Sequence, residues 1–207
     1  MARFTQSVFG QITGKLGGMV AAVRKDGTCI LKEYRKASNP NSEGQQKQRG
    51  KFGFTMKKLN CLRGVFADIH ANQYGINRAV SQAMKSCVYA VDEGFVLDFS
   101  ELKLTSGVIS SPVDVVFDRS GSDCWVVSWG TGLLLSDNNN DELNIVVLNT
   151  ASAGVLYKKQ AEVRQSGCVT VQIPFPTVGE ELYVWLFFSS ATGRRFSDSV
   201  CFYFPAG

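Results

Sequence analysis

The sequence holds one histidine, His70, in 207 residues, and six cysteines of which no two stand closer than 26 positions apart. A lone histidine excludes histidine-pair metal sites, and the absence of any Cys-x-x-Cys excludes zinc ribbons and thioredoxin-type redox motifs. No Gly-x-Ser-x-Gly elbow stands ready to use His70 as its base. Long apolar runs are missing too: stretches such as Leu182–Phe188 are far too short to span a membrane. The opening residues Met1 to Gly10 are interrupted by Thr5, Gln6 and Ser7 and do not read as a signal peptide. These absences predict synthesis in a reducing cytosol, with the cysteines buried as small apolar side chains.

Two patterns come near to known sites and fail. Gly10 to Gly17 resembles a phosphate-binding loop, but three residues separate Gly10 from Gly14 instead of four, and Leu16 replaces the metal-binding hydroxyl. Asp137 to Glu142 starts like a calcium loop, yet Glu142 stands where glycine is needed and Leu148 where a bidentate glutamate is needed. Both read as turns. The remaining acids cluster in predicted turns, so no reactive centre, cofactor or metal is expected, and the chain reads as a non-enzyme.

Acids are scarce in the first third. Residues 1–70 carry thirteen Lys/Arg against Asp26, Glu33, Glu43 and Asp68, a net +9, whereas residues 71–207 carry nine against fourteen, a net −5. Arg24, Lys25, Lys32, Arg35 and Lys36, with Lys47, Lys51 and Lys58 further on, form the candidate basic face. It suits a solvated or intersubunit surface or, alternatively, nucleic acid, although no recognition helix or aromatic-basic stacking pattern accompanies it.

The organisation is α+β. Residues 1–17, rich in Gly, Thr, Ser and Gln, read as an irregular arm whose Phe4, Val8, Phe9 and Ile12 supply apolar contact and whose Lys15 supplies charge. Lys25-Asp26-Gly27 joins two hairpin strands, because that turn needs positive φ. Ser42 with Gln45 starts a helix in capping-box fashion. Phe52, Met56, Leu59 and Phe66 then fall within about 80° of each other at 100° per residue, and Gly64 is placed as a break or kink. A second helix opens at Asn77, with Val80, Ala83, Met84, Cys87 and Val88 on its apolar face. From Phe95 onward, β-branched and aromatic runs alternate with turn clusters, as in an antiparallel sandwich or barrel. The expected strands are Phe95–Leu104, Val113–Arg119, Cys124–Trp129, Leu143–Asn149, Val155–Arg164, Val169–Ile173, Leu182–Phe188 and Val200–Phe204. The composition places the boundary between modules at 91/92.

In Leu182–Phe188 both faces are apolar: Leu182, Val184, Leu186 and Phe188 oppose Tyr183, Trp185 and Phe187. Val200–Phe204 repeats the pattern, with Cys201 and Tyr203 on the second side. A sandwich sheet needs one apolar face, so something must cover the other. The chain's own helices are one candidate cover. A partner is the other, and it would make Tyr183, Trp185 and Tyr203 an interface.

The order of motifs carries a resemblance. Gly14-Lys15-Leu16-Gly17 precedes a hairpin ending in Tyr34-Arg35, followed by Asn39, Pro40, Ser42, Gln45, Arg49 and Phe52 in the pattern Asn-Pro-x-Ser/Thr-x-x-Gln-x-x-x-Arg-x-x-Phe. Gly75-Ile76-Asn77-Arg78-Ala79-Val80 and Ser197-Asp198-Ser199-Val200 come later. Together these resemble an uncharacterised family of Bacteroidota and their phages, and the Asn-Pro element is similar to the start of many small phage virion proteins. The resemblance implies an immunoglobulin-like C-terminal sandwich and a phage setting, and it implies no catalytic residues.

The expected role is therefore a structural virion component, made in the cytoplasm and assembled with its own copies or other virion proteins, with no membrane partner. Two alternatives are a nucleic-acid-binding protein using the basic module, and a carbohydrate-binding sandwich with Trp125 or Trp129 as its platform.

Overall fold

The structure, a computed structural model, describes residues 2–4, 13–36, 41–70, 75–92, 94–119, 124–132, 138–174 and 179–206. The chain divides into two compact units, Met1–Glu43 and Gly44–Gly207. The helices thus belong to the same unit as the sandwich, and the division does not fall at 91/92.

The first unit is an antiparallel sheet of β1 (Ala2–Phe4), β2 (Gly14–Leu16), β3 (Met19–Val23) and β4 (Cys29–Glu33), in the order β1-β4-β3-β2. Its central turn follows the Asp-Gly signal: Gly27 has φ 79° and donates its N–H to Arg24 O at 3.0 Å. The expected irregular arm is corrected at both described stretches. Ala2–Phe4 pairs with β4 and Gly14–Leu16 with β3, so each is an edge strand of the chain's own sheet.

All of α1 (Glu43–Leu59) but its first residue belongs to the second unit; the helix starts directly after Ser42 and continues through a 3₁₀ turn (Asn60–Leu62) into α2 (Arg63–His70). The interruption lies at Asn60–Leu62 and not at Gly64, which sits exposed inside α2. Leu59, Leu62, Phe66 and Ile69 recur three or four residues apart and are all buried, so the apolar stripe runs unbroken through the tightened turn. The next helix, α3, spans Gly75–Ser86, opening two residues before Asn77. A hairpin of β5 (Val88–Val91) and β6 (Gly94–Leu97) follows as a separate two-stranded sheet. Phe95–Leu104 is therefore not one sandwich strand: Asp98 Oδ1 accepts the N–H and hydroxyl of Ser100 at 2.9 and 2.6 Å and turns the chain away.

Among the described residues seven antiparallel strands make the sandwich: β7 (Val116–Asp118), β8 (Cys124–Ser128), β9 (Glu142–Asn149), β10 (Val155–Val163), β11 (Cys168–Gln172), β12 (Leu182–Ser189) and β13 (Val200–Phe204). One sheet runs β11-β8-β7 and the other β10-β9-β12-β13, a three-on-four immunoglobulin-like arrangement. β7 is shorter than expected because Asp114, at φ 50°, leaves the extended region.

The four-stranded sheet is the middle layer. Its inner face, including Ile145, Val147, Val184, Leu186 and Phe188, packs with Trp125, Val127, Trp129 and Val171 of the opposite sheet. Its outer face, including Val146, Leu148, Trp185 and Phe187, packs with Leu59, Leu62, Phe66, Ile69, Val80 and Ala83 of the helices. The chain covers its own second face. The edge strand β10 is bulged between Lys158 and Glu162, with Gln160 at φ 48°. Buried Asn144 fills the bulge, its Oδ1 accepting Gln160 N–H at 3.2 Å and its Nδ2 donating to Ser189 Oγ at 2.8 Å.

Ser197, Asp198 and Ser199 clasp both β12 (Leu182–Ser189) and the segment that leads from the helical layer into the sandwich. Ser199 Oγ accepts Leu104 N–H at 2.9 Å, Asp198 accepts Gly107 N–H at 3.0 Å, and Ser197 Oγ accepts Phe188 N–H at 2.9 Å. A Cβ at Gly107 would lie 1.9 Å from Phe196 O, so no other residue fits this crossing unchanged.

Phe66→Ala should cost about 3–5 kcal/mol of stability because it empties the interface between helices and sheet. Phe52→Ala, at a ring 48% exposed, should cost under about 1 kcal/mol. Urea denaturation of the two variants tests the assignment; equal losses would contradict it.

Candidate functional site

The helices present their polar side as a basic surface. Lys47, Lys57 and Lys58 of α1 are exposed, as are Arg63 of α2 and Arg78 and Lys85 of α3. Lys51, assigned to the basic face, is engaged elsewhere. Its ammonium donates to Met84 O at 2.6 Å, in the last turn of α3. Unsatisfied carbonyls and the negative end of the helix dipole favour a cation there, so Lys51 ties α1 to α3.

Between α1 and α3 runs a groove of about 760 Å³ whose apolar lining is Phe52, Val80 and Met84 and whose polar lining includes Gln45, Arg49 and Asn77. Three residues of the Asn-Pro element, Gln45, Arg49 and Phe52, meet Asn77 of the Gly-Ile-Asn element there. Phe52 is thus a groove residue and not a full member of the core stripe. Gln48, Ser81 and Met84 also line the groove without having been singled out for it. The legible signal was spacing: 45, 48, 49 and 52 share one face of α1, and 77, 80, 81 and 84 share one face of α3.

In the first unit, Arg24, Lys25, Lys32, Arg35 and Lys36 lie on the sheet and its hairpin, and all five are exposed. Arg35 pairs with Glu33 at 3.2 Å, both well exposed, a contact worth about 0–1 kcal/mol. Lys15 stands 3.9 Å over the Tyr34 ring, a cation–π contact that occupies its charge. Val8, Phe9 and Ile12 lie outside the described residues, as do Asn39, Pro40 and the side chain of Phe4.

The aromatic interface is corrected. Trp185 is fully buried and donates its Nε1–H to Leu102 O at 2.8 Å. Tyr183 is half-buried between Phe99 and Tyr203, with ring centroids at 5.3 and 5.0 Å. Burial first, then the Glu181 carboxylate, pushes its phenol up to about 12. Tyr203 alone stays open, and its hydroxyl donates to Glu181 at 3.0 Å. The carbohydrate platform fails for the same reason, since Trp125 and Trp129 are 2% and 5% exposed. Each lies on the inward side of an alternating strand end.

The six cysteines are free, but not all are buried. Cys124 and Cys168 alternate with the inward residues Trp125, Val127, Val169 and Val171 and so face solvent. Burial raises the Cys87 and Cys61 thiols and pushes Cys201 up to about 12. Because the thiolate is the reactive form, alkylation near pH 8 should label Cys124 and Cys168 first. Cys87 and Cys201 should stay unlabelled until denaturant is added. Peptide mapping reads the order, and early labelling of Cys201 would refute it.

Solved structures similar to this chain are a myokine (17% identity, 48% of this chain and 98% of that one, TM-score 0.35) and an fn3 domain of human collagen alpha-1(XX) chain (16%, 50% and 89%, TM-score 0.34). A two-domain fibronectin type III segment from chicken tenascin is similar at 12% identity over 47% of this chain and 50% of that one, TM-score 0.34. No curated protein matches the chain. The model of a family of unknown function, DUF6266, matches residues 11–203, and the chain belongs to that family.

Proposed function

We propose that this protein is a non-catalytic assembly component of virion type, which packs against further copies of itself through faces of opposite charge. The observation that carries the reading is the separation of charge within the second unit. Residues 44–86 hold eight Lys/Arg against one acid, a net +7, while residues 87–207 hold seven against fourteen, a net −7. Even the single acid of the helical segment, Asp68, is engaged within the unit, 2.7 Å from Lys159.

A face of one sign cannot meet its own copy across a two-fold axis without repulsion. Basic helices against the acidic sandwich of the next copy is the favourable contact, and a head-to-tail contact of that kind builds rings or open lattices. Exposed ion pairs contribute about 0–1 kcal/mol each and set orientation more than strength. Apolar residues left open near the helices, Phe52, Tyr89, Val91 and Val96, can supply the rest of the attachment.

Replacing Lys47, Lys57 and Lys58 together by Glu should weaken self-association by about tenfold or more while leaving the circular dichroism spectrum unchanged. Sedimentation velocity reads the change; a variant that associates like the parent, or a parent that stays monomeric at high concentration, defeats the proposal. The same +7 favours one second reading, binding to a nucleic-acid backbone. That reading requires affinity for mixed-sequence DNA that falls steeply between about 50 and 200 mM salt.

A further inference from the structure

A separate pocket of about 180 Å³ lies between α2, α3 and the segment that Ser199 clasps. Phe66, Ile69 and Leu104 give it an apolar floor. Its ionisable lining is all of one kind: Arg78 from α3, Lys103 from the clasped segment and His70 from the end of α2. Among the described residues no carboxylate belongs to the lining. Asp198, which is not part of the lining, pairs with Lys103 at 3.1 Å and is held by Gly107 N–H and by Ser106 at the pocket's margin.

The second observation is Thr105. It lines the same pocket, is 3% exposed, and its Oγ1 has no hydrogen-bond partner among the described residues. Buried hydroxyls in native proteins are satisfied, and one that is not points to a missing water, ion or ligand. A water could serve the hydroxyl, but it would bring no negative charge to a pocket whose ionisable lining is Arg78, Lys103 and His70. His70 is held below its ordinary value, first by burial and then by Arg78, both of which favour its neutral ring.

We propose that this pocket binds a tetrahedral oxyanion, a phosphate or the phosphoryl end of an ester, through Arg78, Lys103 and the Thr105 hydroxyl. The donors come from a helix and from a separate loop, which suits oxygens pointing in several directions better than the two coplanar oxygens of a carboxylate. Arg78 brings the planar fork that phosphate recognition favours, and Lys103 a point charge. Thr105 donates its proton to the anion, which gives the buried hydroxyl the partner it lacks.

The chain's single histidine gives an unambiguous reporter. Inorganic phosphate, titrated at constant ionic strength against chloride, should shift the His70 ring resonances saturably and raise the His70 pKa by about half a unit or more, because the bound anion offsets Arg78. Arg78→Gln should lose this response. Thr105→Val should melt about 2 °C higher in chloride yet gain less from phosphate than the parent does. Phenyl phosphate in place of inorganic phosphate separates the two sources: an equal response places an ester's phosphoryl end in the pocket, and a response to phosphate alone places the free ion there. No saturable change at His70 with either compound, or an unchanged response in Arg78→Gln, overturns the proposal. Self-association is not read in this experiment, so its outcome is independent of the assembly proposal.

Discussion

Everything in the second unit follows from a sheet that is apolar on both sides. β9 and β12 pair over their whole length, and their side chains alternate between two cores. Neither core is optional. At about 25 cal/mol per Å² of apolar surface, leaving Trp185 and Phe187 in water would forfeit several kcal/mol, a large part of what holds a domain folded. The helices are the lid that this second face demands. Their own apolar stripes are in turn buried only because the sheet is there, so helices and sandwich stabilise each other.

Much of this was legible in the residues. The double-faced alternation of Leu182–Phe188 announced the middle layer, and Val200–Phe204 ends where the strand pattern ends. The hairpin at Asp26-Gly27 and the start of α1 after Ser42 were also readable, because turn and cap chemistry are local. What escaped depends on partners distant in sequence or on side-chain bonds that no pattern displays. Asp98 stops a strand that the apolar pattern would have continued to Leu104, and only its bonds to Ser100 reveal this. Phe52 fits the helical period of the core residues, yet α3 stands where its groove can form. Lys51 reads as one more surface charge until Met84 O appears beside its ammonium.

The candidate sites divide in the same manner. The basic character of the helices is a matter of counting, whereas the pocket at Arg78, Lys103 and Thr105 gathers residues from segments about twenty-five positions apart. Motifs noticed for their order prove to have unequal duties. Ser197-Asp198-Ser199 is structural, a set of acceptors for the backbone N–H groups of Phe188, Gly107, Leu104 and Thr105. Gly75 is structural as well: a Cβ there would lie 2.5 Å from Phe66 O, so glycine lets α3 begin close against α2. Asp141 is turned inward, its carboxylate 3.8 Å from the buried Arg164 and bonded to Asn138 N–H, which gives that acidic turn an internal purpose.

The bulge in β10 bears on how such a β-rich fold avoids edge-to-edge pairing. An open sheet edge is a template on which any extended segment can polymerise, and a bulge flanked by charges is a common defence. Here Gln160 interrupts the ladder between Lys158, Lys159 and Glu162, so a foreign strand cannot keep register along that edge. The opposite edge, β13, is five residues long and is followed at once by Pro205, which has no N–H to offer. Amyloid-like stacking is thereby discouraged at both margins of a sheet whose interior strands, rich in Val, Leu and Phe, would otherwise invite it.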